Sequence, residues 1–112
     1  MDRPTKIRIL GFLFTIEYFD KSISDISEKM GWCDVTNQKI SICDSYSPTR
    51  TAEILLHEIM HAIYDAMGIQ IPEKYSEDID EYLVTTFSKG LISVMYDNPY
   101  VFYWIQELLK ST

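Results

Sequence analysis

SPTRTAEILLHEIMHAIYDAMG, residues 47–68, is the stretch that decides the fold, because its pattern predicts one long helix together with both of its ends. Ser47 can accept a hydrogen bond from the first turn, and Pro48 suits the first helical position, where no backbone donor is needed. Apolar residues recur at helical spacing as far as Met67, and Gly68 suits the left-handed conformation that ends many helices. The sequence therefore predicts a helix over residues 48–67.

The chain has two histidines, and both lie on this helix, four residues apart. Positions i and i+4 share one helix face, so His57 and His61 can reach one ion at the ~2.0–2.1 Å typical of zinc. Glu58 is rotated by ~100° from His57, which suits a general base that contacts a water on the metal better than a ligand. Two unrelated core histidines are the alternative, but neutral imidazoles among apolar neighbours need polar partners. The pattern therefore predicts a catalytic zinc site.

A catalytic zinc usually has three protein ligands, and no third histidine exists. We expect the third ligand to be Glu81, on a second helix predicted over about residues 76–95, where Thr85 and Ser88 extend its polar stripe. Asp65 lies one turn beyond His61 and can either orient an imidazole or face solvent. Other candidates for the third ligand are the neighbouring carboxylates and, less favoured, the two thiols: Glu77, Asp78, Asp80, Cys33 and Cys43.

The rest of the chain predicts an α+β domain that spans residues 1–112, with strands first and helices afterwards. Alternating or apolar runs predict strands at 6–10, 12–19 and 39–43. A short helix is expected at 22–30, ending at Gly31, and a last helix at 99–109. Asp78 and Glu81 have the spacing of a capping box, which is a structural role that competes with ligation.

Charge and composition exclude several classes of function. The 112 residues carry a net charge of −7, and the ten basic residues form no cluster, which argues against binding nucleic acid. No apolar run approaches the ~20 residues of a membrane span, and no secretory signal opens the chain. Cys33 and Cys43 lack the spacing of a redox or zinc-thiolate pair and are expected to be free. We therefore expect a cytoplasmic protein.

The segment His-Glu-Ile-Met-His-Ala-Ile-Tyr-Asp (57–65), followed by Glu81-Tyr-Leu-Val-Thr-Thr-Phe-Ser-Lys-Gly-Leu91, resembles the gluzincin metallopeptidases. The likeness is closer to small phage and bacterial zinc-peptidase-like proteins, including ImmA/IrrE-type domains. It covers roughly residues 30–95. The resemblance implies a zincin-like fold, in which a small antiparallel or mixed sheet packs on the motif helix, with a glutamate-bearing helix and a C-terminal helix.

The same resemblance assigns roles to individual residues. It implies that His57, His61 and Glu81 are zinc ligands, that Glu58 is the base, and that strand 39–43 is the edge that pairs with an extended peptide. Thr85 stands where many gluzincins have an aspartate that braces the metal ligands, so the support of the site differs here.

The predicted function is zinc-dependent hydrolysis of a peptide or protein substrate, with Glu58 as general base and a zinc-bound water as nucleophile. One alternative is a catalytically weak or latent zinc-binding domain that acts as a protein-interaction module. Another alternative has no metal and uses residues 100–104 as a partner-binding face, although helical spacing predicts that Phe102, Ile105 and Leu109 pack inside. Cleavage specificity and oligomeric state do not follow from the sequence.

Overall fold

The computed structural model describes residues 2–69 and 77–111, and for five residues of the latter segment it describes the backbone alone (Glu77, Asp78, Asp80, Glu81 and Val84). The described residues form strands and helices in this order: β1 (Lys6–Ile9), β2 (Phe12–Phe19), α1 (Lys21–Ser27), β3 (Gly31–Asp34), β4 (Lys39–Cys43), α2 (Pro48–Met67), α3 (Glu77–Asp97) and α4 (Pro99–Lys110). The α+β class and the strands predicted in the first half of the chain are confirmed.

The strands form a mixed sheet in the order β1-β2-β4-β3. Leu10 and Gly11, at φ 50° and 93°, make a two-residue turn that joins β1 and β2 into a hairpin. β2 then pairs in parallel with β4, and β3 pairs antiparallel with the other side of β4. The prediction that strand 39–43 forms the edge is therefore wrong: β4 lies inside the sheet, and the edge is β3, a strand that the sequence did not predict.

Three helices pack against one face of this sheet. Paired residues of an antiparallel or parallel ladder share a face, and the pairs Ile7–Phe14 and Ile16–Ile40 are both buried. The helical side of the same core is apolar: Leu55, Ile59 and Ile63 of α2, Val94 of α3, and Val101, Trp104 and Ile105 of α4. The motif helix is thus held firmly against the sheet along one side.

The ends of α2 confirm the predicted caps. Ser47 Oγ accepts a hydrogen bond from the Arg50 backbone N–H at 3.3 Å, and Pro48 is the first helical residue. Gly68 follows the last turn at φ 64°. Local contacts fix both ends of α2 at the predicted residues. Each motif residue therefore has the position along the helix that the sequence predicts.

α1 is shorter than predicted and buries a different residue. It ends at Ser27, and Glu28 adopts a left-handed conformation at φ 60°. Ser24 is its buried residue, since the Ser24 hydroxyl donates to the Lys29 carbonyl and contacts the Tyr46 hydroxyl. The residues expected at helical spacing on its apolar side are instead exposed: Ile23, Ile26 and Met30.

The corner between α3 and α4 is tied to the hairpin. Asn98 does not cap α4 with its side chain; it accepts from the Arg8 backbone N–H and donates to the carbonyls of Arg8 and Val94. On α4, Ile105 is buried as predicted and Phe102 partly so, whereas Leu109 is exposed. The predicted capping box at the start of α3 rests on side chains outside the described set.

In the segments 2–69 and 77–111, no helix combines the length and the apolar character that crossing a bilayer requires. Both cysteines are free, as predicted, with Cys43 buried and Cys33 half-buried.

Candidate metal centre

The motif residues of α2, His57, Glu58 and His61, lie partly at the surface and partly in the interior. The helix buries Leu55, Ile59 and Ile63 against the sheet, so residues rotated away from that side reach the surface. Both His57 and His61 are exposed, and Glu58 is buried, with 6% of its surface accessible. The alternative of two unrelated core histidines is therefore wrong, because both imidazoles are exposed. Glu58 lies on the more buried side of the helix and is the enclosed member of the motif.

The two imidazoles are arranged as one ligand pair. Their Nε2 atoms lie 3.1 Å apart, and with neutral rings one Nε2–H can donate to the other nitrogen. For an ion at ~2.05 Å from both nitrogens, the nitrogen–ion–nitrogen angle would be about 98°, near the tetrahedral value that zinc prefers. A ligand atom of Glu58 lies within 4.8 Å of those of both histidines. The chain's own residues therefore fit a divalent cation with imidazole ligands and an adjacent carboxylate.

The carboxylate of Glu58 depends on a glycine of the edge strand. A Cβ at Gly31 would lie 3.2 Å from Glu58 Oε2 and only 2.9 Å from both Ile54 Cγ2 and the Ser41 carbonyl oxygen. β3 thus approaches α2 as closely as it does because residue 31 has no side chain. Gly31 was expected to end a helix, and its contact with the Glu58 carboxylate was not predicted, because a single glycine is a weak signal.

Burial affects the pKa of the acid. It raises the pKa of Glu58 above its ordinary value, and the neighbouring His57 and His61 oppose this effect more weakly. None of the hydrogen bonds found among the described side chains and backbone involves its carboxylate. The carboxylate belongs to a largely buried residue, but it opens on the cleft, where it can exchange a proton with a bound molecule.

The motif opens into a cleft of about 480 Å³ between α2 and the edge strand. The walls are formed by both elements and by the turns beside β3: Lys29, Gly31, Trp32, Cys33, Val35, His57, Glu58 and His61. Cys33 was considered as a ligand, but its sulfur is not in the group of converging ligand atoms. Burial, then Glu58, Asp65 and Asp34 in that order, raise the pKa of the Cys33 thiol to about 11.

The backbone of β3 leaves hydrogen-bonding groups on its outer side. The Met30 carbonyl accepts from the Cys43 N–H at 2.8 Å, which makes residues 30 and 43 a hydrogen-bonded pair. Such pairs alternate along an antiparallel ladder, so Gly31 and Cys33 direct their N–H and C=O groups away from β4. The free edge of the sheet therefore runs along the cleft, a role that the sequence analysis assigned to the neighbouring strand.

The predicted third ligand is not among the described side chains. This holds for Glu81 and for the alternatives on the same helix, Glu77, Asp78 and Asp80. Further along α3, the ring of Phe87 contacts that of Tyr64 with centroids 5.2 Å apart, and Gly90 packs against Ile63 and Met67. These contacts bring α3 beside the C-terminal half of α2, and ligation by Glu81 stays a prediction.

Asp65 is exposed one turn beyond His61, on the same side of α2. No hydrogen bond between its carboxylate and either imidazole is found in the described part of the chain. Its charge contributes, after burial and Glu58, to the raised pKa of the Cys33 thiol. Of the two roles considered for Asp65, the structure thus favours exposure to solvent over orientation of a ring.

Comparison of the chain with protein-family models, curated proteins and solved structures finds no match in any of the three. The gluzincin resemblance therefore continues to rest on the motif and its flanking residues.

Proposed function

We propose that this protein is a zinc metallopeptidase that hydrolyses peptide bonds in a peptide or protein substrate. His57 and His61 would hold the ion, with Glu81 of α3 as the third ligand. The observation that supports the proposal best is the combination of the Nε2 pair at 3.1 Å with a buried, unbonded carboxylate from the next residue of the chain. All three groups open on one cleft.

When bound, zinc would supply a Lewis acid that polarises a carbonyl group and lowers the pKa of a coordinated water toward ~7. Glu58 would accept the proton of the attacking water and donate it to the leaving amine, since its carboxylate converges with both imidazoles. Its raised pKa helps the second of these transfers, because the protonated form is easier to populate.

The edge strand would position the substrate. The outward N–H and C=O groups of Gly31 and Cys33 can pair with an extended peptide, as strands added to a sheet edge do. Such a peptide would cross the cleft above His57 and Glu58, which lie on its opposite wall. Main-chain pairing of this kind orients the peptide bond with little dependence on the sequence of the substrate.

Metal analysis and hydrolysis, measured on the same samples, test the proposal. Wild-type protein should hold about one zinc per chain, and His57→Ala should lose it, because one imidazole and an acid bind far less tightly than the full ligand set. Glu58→Gln should retain the metal while hydrolysis of a peptide library falls by at least about a hundredfold.

Glu107→Gln is the matched control, since it makes the same chemical change on α4, where Glu107 pairs with Lys110. It should leave both readouts unchanged. Equal turnover by Glu58→Gln and wild type would refute the role of the base, and wild type without bound zinc would refute the site.

A protein-interaction module that binds zinc without turnover is the second candidate. It is favoured by the apolar residues that α1 exposes, above all Ile26, which is 85% exposed. Met30, at the end of the same segment, lies on a pocket that also includes His57 and Glu58. A zinc-loaded wild-type protein that cleaves no member of the library would favour this candidate over the first.

A further inference from the structure

The edge strand β3 depends on neighbouring segments for its position. It is four residues long and pairs with β4 at the edge of the sheet. Its first residue, Gly31, lies so close to α2 that a Cβ there would be 2.9 Å from Ile54 Cγ2 and 3.2 Å from Glu58 Oε2. Short segments at the edge of a fold open more readily than interior ones. The width of the cleft therefore depends on what holds the start of β3.

Two hydroxyl groups in series reach the segment that leads into β3. The Ser24 hydroxyl donates to the Lys29 carbonyl at 2.8 Å, and its oxygen lies 3.1 Å from the Tyr46 hydroxyl. Because a serine has one hydroxyl proton, Tyr46 is the donor in the second contact. The two bonds thus run in one direction, from Tyr46 through Ser24 to Lys29, and each polarises the other.

This pair of bonds joins the entry of one wall of the cleft to the entry of the other. Tyr46 packs against the hydrophobic core and directly precedes Ser47, which caps α2. At the opposite end, Lys29 is followed by Met30, whose carbonyl accepts from the Cys43 N–H at 2.8 Å in the first bond between β3 and β4. A displacement at Ser24 would therefore be passed to the start of β3 while α2 stays in place.

The burial of Ser24 is the reverse of what apolar packing would produce. Ser24 is the buried residue of α1, with 4% of its surface accessible, whereas Ile23 and Ile26 on the same helix are 46% and 85% exposed. A helix held by apolar contacts would bury the isoleucines and expose the serine. The hydroxyl of Ser24 thus decides how α1 sits beside the cleft.

We infer that Ser24 is a positioning residue, which holds the start of β3 at the distance from α2 that a bound peptide requires. The inference rests on the proposed peptidase function, because it concerns the outward N–H and C=O groups of Gly31 and Cys33 that pair with the substrate. Ser24 is not among the described residues that line the cleft, and it acts through Lys29 and the strand that follows.

Steady-state kinetics of Ser24→Ala, which removes a single oxygen atom, test this role. The KM for an extended peptide should rise about fivefold, the effect of about one hydrogen bond, while zinc content stays the same. Asn98→Ala is the control, because it breaks hydrogen bonds to Arg8 and Val94 at another corner of the fold. KM does not depend on the fraction of enzyme that is folded, so the control should leave KM unchanged even though it destabilises the protein.

Amide hydrogen exchange followed by NMR gives a second readout, which needs no turnover. The Cys43 N–H is bonded to the Met30 carbonyl and reports on the start of β3, whereas the Ile16 N–H is bonded to the Thr5 carbonyl on the other side of the sheet. In Ser24→Ala, exchange at Cys43 should become about fivefold faster relative to exchange at Ile16. A general loss of stability would accelerate both amides alike, and the control variant should show no change in their ratio.

The two readouts separate the inference from the proposed function. A higher exchange ratio together with a higher KM supports both. A higher ratio in a protein whose wild type cleaves no peptide supports the hold of Ser24 on β3 and rejects the peptidase. Cleavage by wild type, with either KM or the ratio unaltered in Ser24→Ala, overturns the inference and retains the peptidase. Should Ser24→Ala fail to fold, Tyr46→Phe, which removes only the outer hydroxyl, must change both quantities in the same direction.

Discussion

Gly31→Ala should damage the candidate site and the fold together, because residue 31 is where the edge strand touches the motif helix. The added methyl group would lie 2.9 Å from Ile54 Cγ2, 2.9 Å from the Ser41 carbonyl oxygen and 3.2 Å from Glu58 Oε2. Ile54 is buried, and Ser41 belongs to an interior strand, so neither can move aside easily. The strand must instead shift away from the helix.

Overpacking of this kind costs about 1–3 kcal/mol. Alanine also reduces the conformational entropy of the unfolded chain. This effect stabilises the fold by about 0.4–1 kcal/mol, because Gly31 does not have a positive φ and alanine can adopt its conformation. We expect a net loss of about 1–2 kcal/mol. With an unfolding entropy of ~2.1 cal/mol/K per residue, that loss lowers the Tm of this chain by roughly 4–9 °C.

Thermal unfolding followed by circular dichroism measures the effect, with Thr36→Ala in the neighbouring exposed turn as control, where a surface change should stay within about 0.5 kcal/mol. The rate of hydrolysis should fall by more than the loss of folded protein explains, because the added methyl group displaces Glu58 Oε2. Zinc content should be unchanged, because both histidines lie on one helix. An unaltered Tm would refute the close approach of β3 to α2.

Two further predictions concern the metal and the thiol. Zinc at about 100 times its Kd should stabilise the fold by ~2.7 kcal/mol. A chelator should therefore lower the Tm of wild type by about 11 °C and leave the Tm of His61→Ala unchanged. Equal shifts in both proteins would contradict a metal site at His57 and His61. Burial and nearby carboxylates raise the pKa of Cys33 from 9.0 to about 11. At pH 8 its thiolate fraction should therefore be about a hundredfold below that of a thiol with the ordinary pKa. Because a thiolate of higher pKa is also more nucleophilic, alkylation of Cys33 should be only about tenfold slower than alkylation of a cysteine in a short peptide. The rate should keep rising toward pH 11, and a plateau near pH 9 would show that neither burial nor the carboxylates raise the pKa of the thiol.

The features that the sequence predicted correctly are those with local causes. Both ends of α2 follow from Ser47, Pro48 and Gly68, whose effects reach no further than one turn. The i, i+4 spacing then places His57 and His61 side by side whatever the rest of the fold does. The two strands β1 and β2 were also predicted, and their pairing needs only a two-residue turn.

The features that were missed depend on contacts between distant segments. β3 is four residues long and half-buried throughout, so it shows no alternation of exposed and buried side chains. Whether β3 or β4 forms the edge depends on the parallel pairing of β2 with β4, which no local pattern specifies. The prediction of an apolar face on α1 was wrong for a related reason. Its spacing favours such a face, but Ser24, which hydrogen-bonds with Lys29 and Tyr46, is buried instead.

The same distinction separates the two halves of the candidate site. The imidazole pair is complete on one helix, whereas the environment of Glu58 requires β3 to approach α2 at Gly31. Changes that loosen β3 should therefore weaken proton transfer before they weaken metal binding, whereas substitution of His57 or His61 should remove metal binding directly. If the proposed function holds, the protein would keep its ion while its base is misplaced, and the position of the edge strand would then report activity better than metal content does.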